Sequence, residues 1–392
     1  MATLPAPPHR SVRMIGAAMS KFGKMEQTLR EAGAQAGLAA VREAGVGPAQ
    51  VDHVYIANAF GLVENQGHLG PLIASSLAMD HAATLSVESA CASGGAAIHQ
   101  AYMAVAGGFA DAALVVGVEK VSMLGTASAT TYFTSGSDFA FEAGSGGTFP
   151  GLYATLATAY LRTFGATEEQ LAHVAVKNHK NALSNPNAHL QKAVSVEQVL
   201  ASPYVSWPLK LYDCCPFSDG AAAVVLAAEP LARDLGKEGV AVLGAGRAGC
   251  AAQLQERASL VELPSTRLAA EQAFAQAGLA PRDVSFAEVH DCFTVAEVLA
   301  TEDLGFFPKG EGAAAAAEGR TSLAGEVPVN PSGGLKAKGH PVGTTGVAQA
   351  VEVFEQLEGR AGGRQVKGAG VALTHNIGAT GGSCAVHLWG RA

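Results

Sequence analysis

Three short stretches carry the residue types that perform covalent chemistry in proteins. Cys91 stands in "SACASGG", the run "AEVHDCFT" at 287–294 sets His290, Asp291 and Cys292 side by side, and His340 is the centre of Gly-His-Pro at 339–341. Groups that titrate or form strong hydrogen bonds are costly to bury among apolar neighbours unless they are satisfied or used. A thiolate is the nucleophilic form of cysteine, and a helix N-terminus favours negative charge. Cys91, ahead of the helix-like "ASGGAAIH", is therefore expected to have a lowered thiol pKa. His340 is the residue to take its proton. Pro341 suits the first helical turn and would hold the histidine at a helix entrance. These types in this arrangement spell nucleophilic catalysis by a thiol.

A free cysteine on its own is more often a small core residue than a reactive one. Cys214, Cys215, Cys250 and Cys384 are read that way, and Cys292 sits in an apolar strand that suits either use. The six cysteines are too sparse in 392 residues for a disulfide framework, and no C-x-x-C pair offers a structural zinc site. No metal is expected.

The elements that position these residues are built from ample apolar material, since 48% of the residues are hydrophobic and only 15% charged. The net charge of −8 comes without a basic block, which argues against a nucleic-acid surface and against an anionic membrane. "MATLPAPPHRSVRMIG" lacks the apolar run of a signal peptide, and no later run is long enough to cross a bilayer. A cytoplasmic protein acting on small molecules is the expectation.

An internal repeat organises the chain. Residues 39–60, "AAVREAGVGPAQVDHVYIANAF", align without a gap on 272–293, "QAFAQAGLAPRDVSFAEVHDCF", with Ala40, Ala44, Gly45, Pro48, Val51 and Phe60 matching Ala273, Ala277, Gly278, Pro281, Val284 and Phe293. The shared pattern is a small-residue helix, a glycine C-cap, a proline turn and an apolar strand. Further on, "VESACASGGAAIHQAYMAVAGG" and the buried run "ADAALVVGVEK" are echoed by "GLKAKGHPVGTTGVAQAVEVFEQLEG" and "VKGAGVALTHN". Matching Gly94 to Gly343 puts Cys91 and His340 at equivalent places before a helix, where a pseudo-twofold axis would bring them to one site. Between Lys120 and about Asp213 the chain has no counterpart in the second half. This Gly-, Ser- and Thr-rich insertion turns helical through "TEEQLAHVAVKNHKNAL" and is long enough to be a lid or substrate-binding unit. "CCPFSDGAAAVVLAAE" then returns to the first half.

Taken together, "SACASGG", "SDGAAAVVL", "HDCF", "NPSGGLKAKGHPVGTTG" and "HNIGATGG" resemble, in order and nearly end to end, the thiolase superfamily, most closely its sterol-carrier-protein and archaeal-type acetyltransferase branch. The resemblance implies a five-layered αβαβα fold of two similar halves with an inserted loop domain that binds coenzyme A. The expected division is 1–120 with 213–238 for the first half, 121–212 for the loop domain and 239–392 for the second half. It also implies acyl transfer between coenzyme A thioesters, making or cleaving a 3-ketoacyl-CoA. No cofactor would be permanently bound, and acyl-CoA would be the substrate.

Better-known thiolases carry Asn-Glu-Ala-Phe where this chain has His290 to Phe293, and a Cys-x-Gly whose cysteine falls on Asn376 here. The resemblance makes Cys292 the replacement acid/base thiol, with Cys384 as the fallback. An enolate formed next to a thioester needs preorganised donors for its oxygen, and His290 and His340 are the candidates. The resemblance suggests the backbone amides of Cys91 and Gly378 as a second oxyanion hole. His375 is expected either to line the pocket or to be a hydrogen-bonded structural residue. Lys177, Asn178, His179 and Lys180 are candidates for the phosphates of coenzyme A, or form a solvated helix face. Related proteins include acyltransferases and sterol side-chain retro-aldolases, some of which work with a small zinc-ribbon and OB-fold partner. The resemblance also points to a homodimer joining the sheets of two subunits, or to a tetramer.

A rival sits in "VLGAGRAGC", where Gly244, Gly246 and Gly249 satisfy the G-x-G-x-x-G of a dinucleotide-binding turn. An NAD-dependent oxidoreductase would need a helix opening there and a second strand after it, and "AAQLQERASLVELPSTRL" supplies no convincing strand.

Overall fold

A computed structural model describes residues 9–391. The first run of elements is β1 (Val12–Met19), α1 (Leu29–Ala44), β2 (His53–Ala57), α2 (Leu69–Ser76), β3 (Ala83–Val87), α3 (Ser93–Ala106) and β4 (Ala112–Glu119). The insertion carries α4 (Gly125–Thr134), α5 (Phe149–Phe164), α6 (Glu168–Ala182), α7 (Val196–Ala201) and the hairpin β5 (Tyr204–Ser206) with β6 (Leu209–Lys210). β7 (Gly220–Ala228) and α8 (Glu229–Asp234) follow. The remainder is β8 (Val240–Gly249), α9 (Pro264–Ala277), β9 (Phe286–Glu288), α10 (Thr294–Asp303), α11 (Gly312–Ala317), α12 (Thr345–Leu357), β10 (Val371–Gly378) and β11 (Ser383–Arg391).

The main sheet runs β3-β2-β4-β7-β1-β8-β11-β10-β9. From its centre outwards, β1-β7-β4-β2 and β8-β11-β10-β9 repeat the same pairings, antiparallel twice and then parallel. The two runs meet where β1 pairs with β8 through only two residue pairs, Arg13 with Ala241 and Met14 with Val240. β3 is parallel to β2, and in its place on the other side Val329 makes a single parallel bridge to Ala287 of β9. Side chains of α1 and α2 cover one outer face and those of α9 and α10, joined by α5, the other. Between the sheet halves, α3 and α12 share a third core. The layers are therefore α, β, α, β, α.

The repeat reappears residue for residue. α1 and α9 end at Gly45 (φ 72°) and Gly278 (φ 65°), both left-handed, a conformation glycine adopts without the Cβ penalty. The 3₁₀ turns Pro48–Gln50 and Pro281–Asp283 then lead into β2 and β9.

Close helix–strand packing explains the glycine-rich rival. Gly244 and Gly246 lie inside β8, where a Cβ would collide with the Ala273 and Ala269 carbonyl oxygens of α9, just as one on Gly16 of β1 would meet Ala40 of α1. No helix opens after Gly249, so the dinucleotide-binding turn, and the oxidoreductase resting on it, are not present in this structure.

The helix register differs from the sequence match. α3 starts two residues after Cys91, whereas His340 is followed by a 3₁₀ turn, Val342–Thr344, before α12 starts at Thr345. Gly94 lies against Gly346, where an added Cβ would come within 2.7 Å of backbone. Gly346, and not Gly343, is thus its counterpart across the pseudo-twofold. Pro341 precedes the 3₁₀ turn in extended conformation and lies outside the helix.

Candidate active site

Cys91 is presented by a tight turn. Ala90 is left-handed at φ 49°, a conformation that costs a non-glycine residue about 1–3 kcal/mol and persists where the surroundings over-determine it. Those surroundings are the Ser89 N–H donating to Ser93 Oγ (2.9 Å), the Ser93 hydroxyl donating to the Ala90 carbonyl (2.6 Å) and the Ala90 N–H donating to Glu88 (2.6 Å). The amides of Ala379 and of Cys91 itself face the thiol, yet burial dominates and pushes it up to about 12. The expected lowering by the helix N-terminus does not appear, because first-turn amides are already committed: Ser93 N–H to the Ala90 carbonyl and Gly95 N–H to Asn376.

His340 and His290 arrive from separate segments of the second half and meet edge to face, ring centroids 5.1 Å apart. Cys91 Sγ and one ring nitrogen of each histidine lie within 4.8 Å of one another. The His340 main-chain N–H donates to Ser218 Oγ (3.2 Å), and its Nδ1 is 2.6 Å from Thr345 Oγ1. Thr345 in turn donates to the Pro341 carbonyl (3.0 Å), so it accepts from Nδ1–H and leaves His340 Nε2 as a lone pair. Burial holds His340 down to about 3, hence neutral. Burial also drives His290 well below its ordinary value, with His340 and His375 adding to the shift.

Asp291 is a clamp. Its carboxylate accepts from the Leu335 (2.7 Å) and Lys336 (3.2 Å) amides and from Asn178 Nδ2 (2.7 Å), tying the His-Asp-Cys-Phe turn to the loop that carries His340. Cys292 is buried against the Tyr153 hydroxyl and Cys215, and burial raises its thiol far above the ordinary value, so the neutral S–H is the resting form.

A model of the thiolase N-terminal domain matches residues 12–230, and one described as thiolase C-terminal domain-like matches 246–391. The chain belongs to the thiolase family. Over 384 residues, 97% of this chain and the whole of the other, it is 46% identical to an acetyl-CoA acetyltransferase of Methanothermobacter thermautotrophicus. It is 32% identical to human sterol carrier protein 2, covering 97% of this chain and 72% of that one. Among solved structures, "Ltp2-ChsH2(DUF35) aldolase" superposes with a TM-score of 0.85 at 25% identity, over 97% of this chain and 98% of the other. As a thiolase the protein is an acyltransferase enzyme.

Within this thiolase several sequence candidates have other duties. Lys177 is buried, its ammonium paired with Glu297 (2.6 Å) and donating to the Val329 carbonyl (2.8 Å), so it is not offered to a phosphate. Asn178 and His179 are likewise buried and bonded, to Asp291 and Glu297 and to the Lys192 carbonyl; of the four neighbours only Lys180 is exposed. His375 does not line the pocket. It is fully buried, accepts the His290 main-chain N–H at Nδ1 (3.3 Å) and is 2.9 Å from Thr266 Oγ1 through Nε2. Cys384 bonds to the same Thr266 in the outer core, on the far side of β10 from the Cys91 turn. Gly378 ends β10 where a Cβ would come within 2.6 Å of the Ser89 carbonyl, and it is the next amide, that of Ala379, which bonds the thiol.

Two site residues had no functional signal in the sequence. Tyr153, on α5 of the insertion, stacks on Phe293 (4.5 Å), donates to the Ala379 carbonyl (2.9 Å) and touches Cys292. Asn376, noticed only as the place of a missing cysteine, contacts both Cys91 and His290.

Proposed function

We propose that this thiolase makes or cleaves 3-ketoacyl-CoA by Claisen chemistry through an acyl-Cys91 intermediate, with acetyl-CoA as the two-carbon unit. The convergence of the Cys91 thiol with a ring nitrogen of each of two neutral histidines carries the reading. In the cleaving direction His340 Nε2 takes the Cys91 proton as the sulfur attacks the 3-keto carbon. The oxygen of that adduct faces the Cys91 amide and the end of β10. Breaking the carbon–carbon bond leaves the acetyl-CoA enolate, whose oxygen meets His290 and the newly protonated His340. Cys292, resting as a thiol, gives its proton to the enolate carbon. The Cys292 thiolate then takes the proton of incoming coenzyme A, whose sulfur attacks acyl-Cys91; Cys91 departs and recovers its proton from His340. Condensation is the reverse.

The reading includes residues 121–212 as the coenzyme A-binding loop domain, with Lys180 as the remaining phosphate candidate, between halves 1–120 with 213–238 and 239–392. A homodimer pairing the β3 edges of two copies is supported by the exposure of that strand, including Leu85, since an open edge is a template for another strand. No helix among the described residues is long and apolar enough to cross a membrane, and a cytoplasmic setting fits that.

The test is covalent. Acetyl-CoA or acetoacetyl-CoA is expected to leave an acyl mass on the peptide bearing Cys91, and Cys91→Ala to abolish both mass and turnover; label on another cysteine overturns the assignment. The likeness to "Ltp2-ChsH2(DUF35) aldolase" supports a second reading. In it the chain acts on a non-standard acyl-CoA, such as a sterol side chain, with a small zinc-ribbon and OB-fold partner. Activity on acetoacetyl-CoA by the purified chain alone decides for the first.

A further inference from the structure

The two active-site histidines differ in the hydrogen bond made by the nitrogen that points away from the site. For His340 that bond is to Thr345, and it leaves Nε2 as a lone pair. For His290 the partner is Asn376, and the orientation of the Asn376 amide follows from its other contacts. The Gly95 N–H at the start of α3 donates to Asn376 Oδ1 (2.9 Å), which must therefore be the carbonyl oxygen. Nδ2 lies 2.9 Å from the Cys91 carbonyl, an acceptor only, which independently identifies it as the NH₂ group. The same NH₂ lies 3.1 Å from His290 Nδ1. A donor facing Nδ1 requires a lone pair there, so the ring proton of His290 sits on Nε2. Among the described residues, that nitrogen is a buried polar atom with no partner. An N–H withheld from all protein acceptors and turned towards a reactive thiol is what a developing oxyanion needs.

We propose that Asn376 is a positioning residue that locks His290 as the Nε2–H tautomer, opposite to its neighbour His340, so that one ring donates to the enolate oxygen while the other takes the Cys91 proton. This rests on the thiolase reading of the same site. The division explains how two neutral imidazoles in edge-to-face contact avoid competing for one role. Two lone pairs facing the substrate would repel an enolate, and two N–H groups would leave Cys91 without a base. The lock also opposes a metal at this cluster, because His290 cannot ligate through a protonated Nε2. It spans the fold: Gly95 and Cys91 belong to the first half, Asn376 and His290 to the second, and a single amide ties the nucleophile's carbonyl to the donor's tautomer.

Asn376→Asp tests it with almost no change in shape. A carboxylate oxygen facing Nδ1 accepts a proton, so neutral His290 is forced into the Nδ1–H tautomer and presents a lone pair to the enolate. Exchange of the acetyl-CoA methyl protons into heavy water is expected to fall about 10²- to 10³-fold, the cost of removing one oxyanion donor. Acylation of Cys91 by acetyl-CoA, read by mass, is expected to fall by a smaller factor, because the carboxylate also replaces the donor to the Cys91 carbonyl. The variant should also gain a pH dependence. The ionisable groups around His290 are His340, His375 and Cys91; the histidines are neutral, so the new carboxylate raises the His290 pKa. Lowering the pH then restores Nε2–H, and exchange by the variant should rise as pH falls while the parent does not. Equal loss of both steps, or no pH-dependent recovery, overturns the proposal. A readout needing no variant is the ¹⁵N spectrum of the histidine-labelled parent, with His290 expected to be protonated at Nε2 and His340 at Nδ1; two like tautomers overturn it. Absence of any acyl label on Cys91 in the parent would instead overturn the thiolase reading, leaving the tautomer assignment to the spectrum.

Discussion

Near the ends of β4 and β10, in opposite halves of the molecule, a buried polar side chain reaches across the pseudo-twofold to hold the other half's active loop. Glu119 of β4 accepts four donors: the Ala59 (2.9 Å), Phe60 (3.1 Å) and Gly343 (2.9 Å) amides and Asn58 Nδ2 (3.0 Å). Gly343 belongs to the loop that follows His340. Asn376 of β10 reaches back to Gly95 and Cys91 and also touches His290. A carboxylate can only collect N–H groups, so Glu119 fixes a backbone. An amide both accepts and donates, so Asn376 fixes a backbone and also decides where a neighbouring ring keeps its proton. Similar placement thus yields a scaffold in one half and a chemical control in the other.

The halves also divide the reaction. In the proposed mechanism the first supplies the covalent step through Cys91 and the second the proton steps, and removing the Cys292 thiol should separate them most sharply. Cys292→Ala is expected to become acylated by acetyl-CoA, yet to lose carbon–carbon chemistry and methyl proton exchange about 10²- to 10⁴-fold, the usual contribution of a general acid or base. Cys384→Ala, altered in the outer core, should turn over nearly normally. If Cys384 proved essential and Cys292 dispensable, the proton would travel by another route.

Glu119→Gln sharpens the contrast between the two clamps. Its amide would turn an N–H towards backbone N–H groups, leaving buried donors unsatisfied at a cost of about 1–3 kcal/mol. Acylation and proton exchange should then decline together, because the His340 loop loosens as a whole. If Glu119→Gln spared acylation and lost only exchange, Glu119 would not be a scaffold.

The smallest expected effect is on stability against pH, to which both halves contribute. In the folded chain His340 and His375 sit at about 3, and His99 and His179 at about 4, against 6.5 for an ordinary imidazole. The unfolded chain binds more protons between those values, so this stability is complete above pH 6.5 and is lost as pH falls towards 4 and then 3. Cys91 at about 12 and Cys214 at about 11, against 9.0, act in the other direction, and their contribution is lost as pH rises through 11 and 12. Glu119, raised by burial to about 7, and Asp291, also raised by burial, act against the histidines as pH rises to that value, so thermal melts at constant ionic strength should show a plateau in Tm only between about pH 8 and 9. A maximum near pH 5 would contradict it.

Much of the architecture was legible in local pattern. The repeat, its glycine caps and proline turns, and the buried runs of β4 and β10 depend on side chains within a few residues of one another, and those are what periodicity reports. Cys91, His290, Cys292 and His340 stood out as candidates by residue type and by the resemblance of their motifs, and the structure brings Cys91, His290 and His340 together. The direction of the Cys91 shift was not, since burial and the prior commitment of the Ser93 and Gly95 amides outweigh the helix end. Nor was the duty of Lys177, whose charged appearance on a helix conceals an ion pair inside the protein.

The sequence by itself determined which elements form and that they form twice, because these follow from short-range spacing and residue type. Only the tertiary structure decided which imidazole accepts a proton and which donates one. That choice is made by Asn376, which lies 285 residues from Cys91 and 86 from His290, and a proton's place on a ring depends on the one atom opposite it in space, which no local pattern specifies.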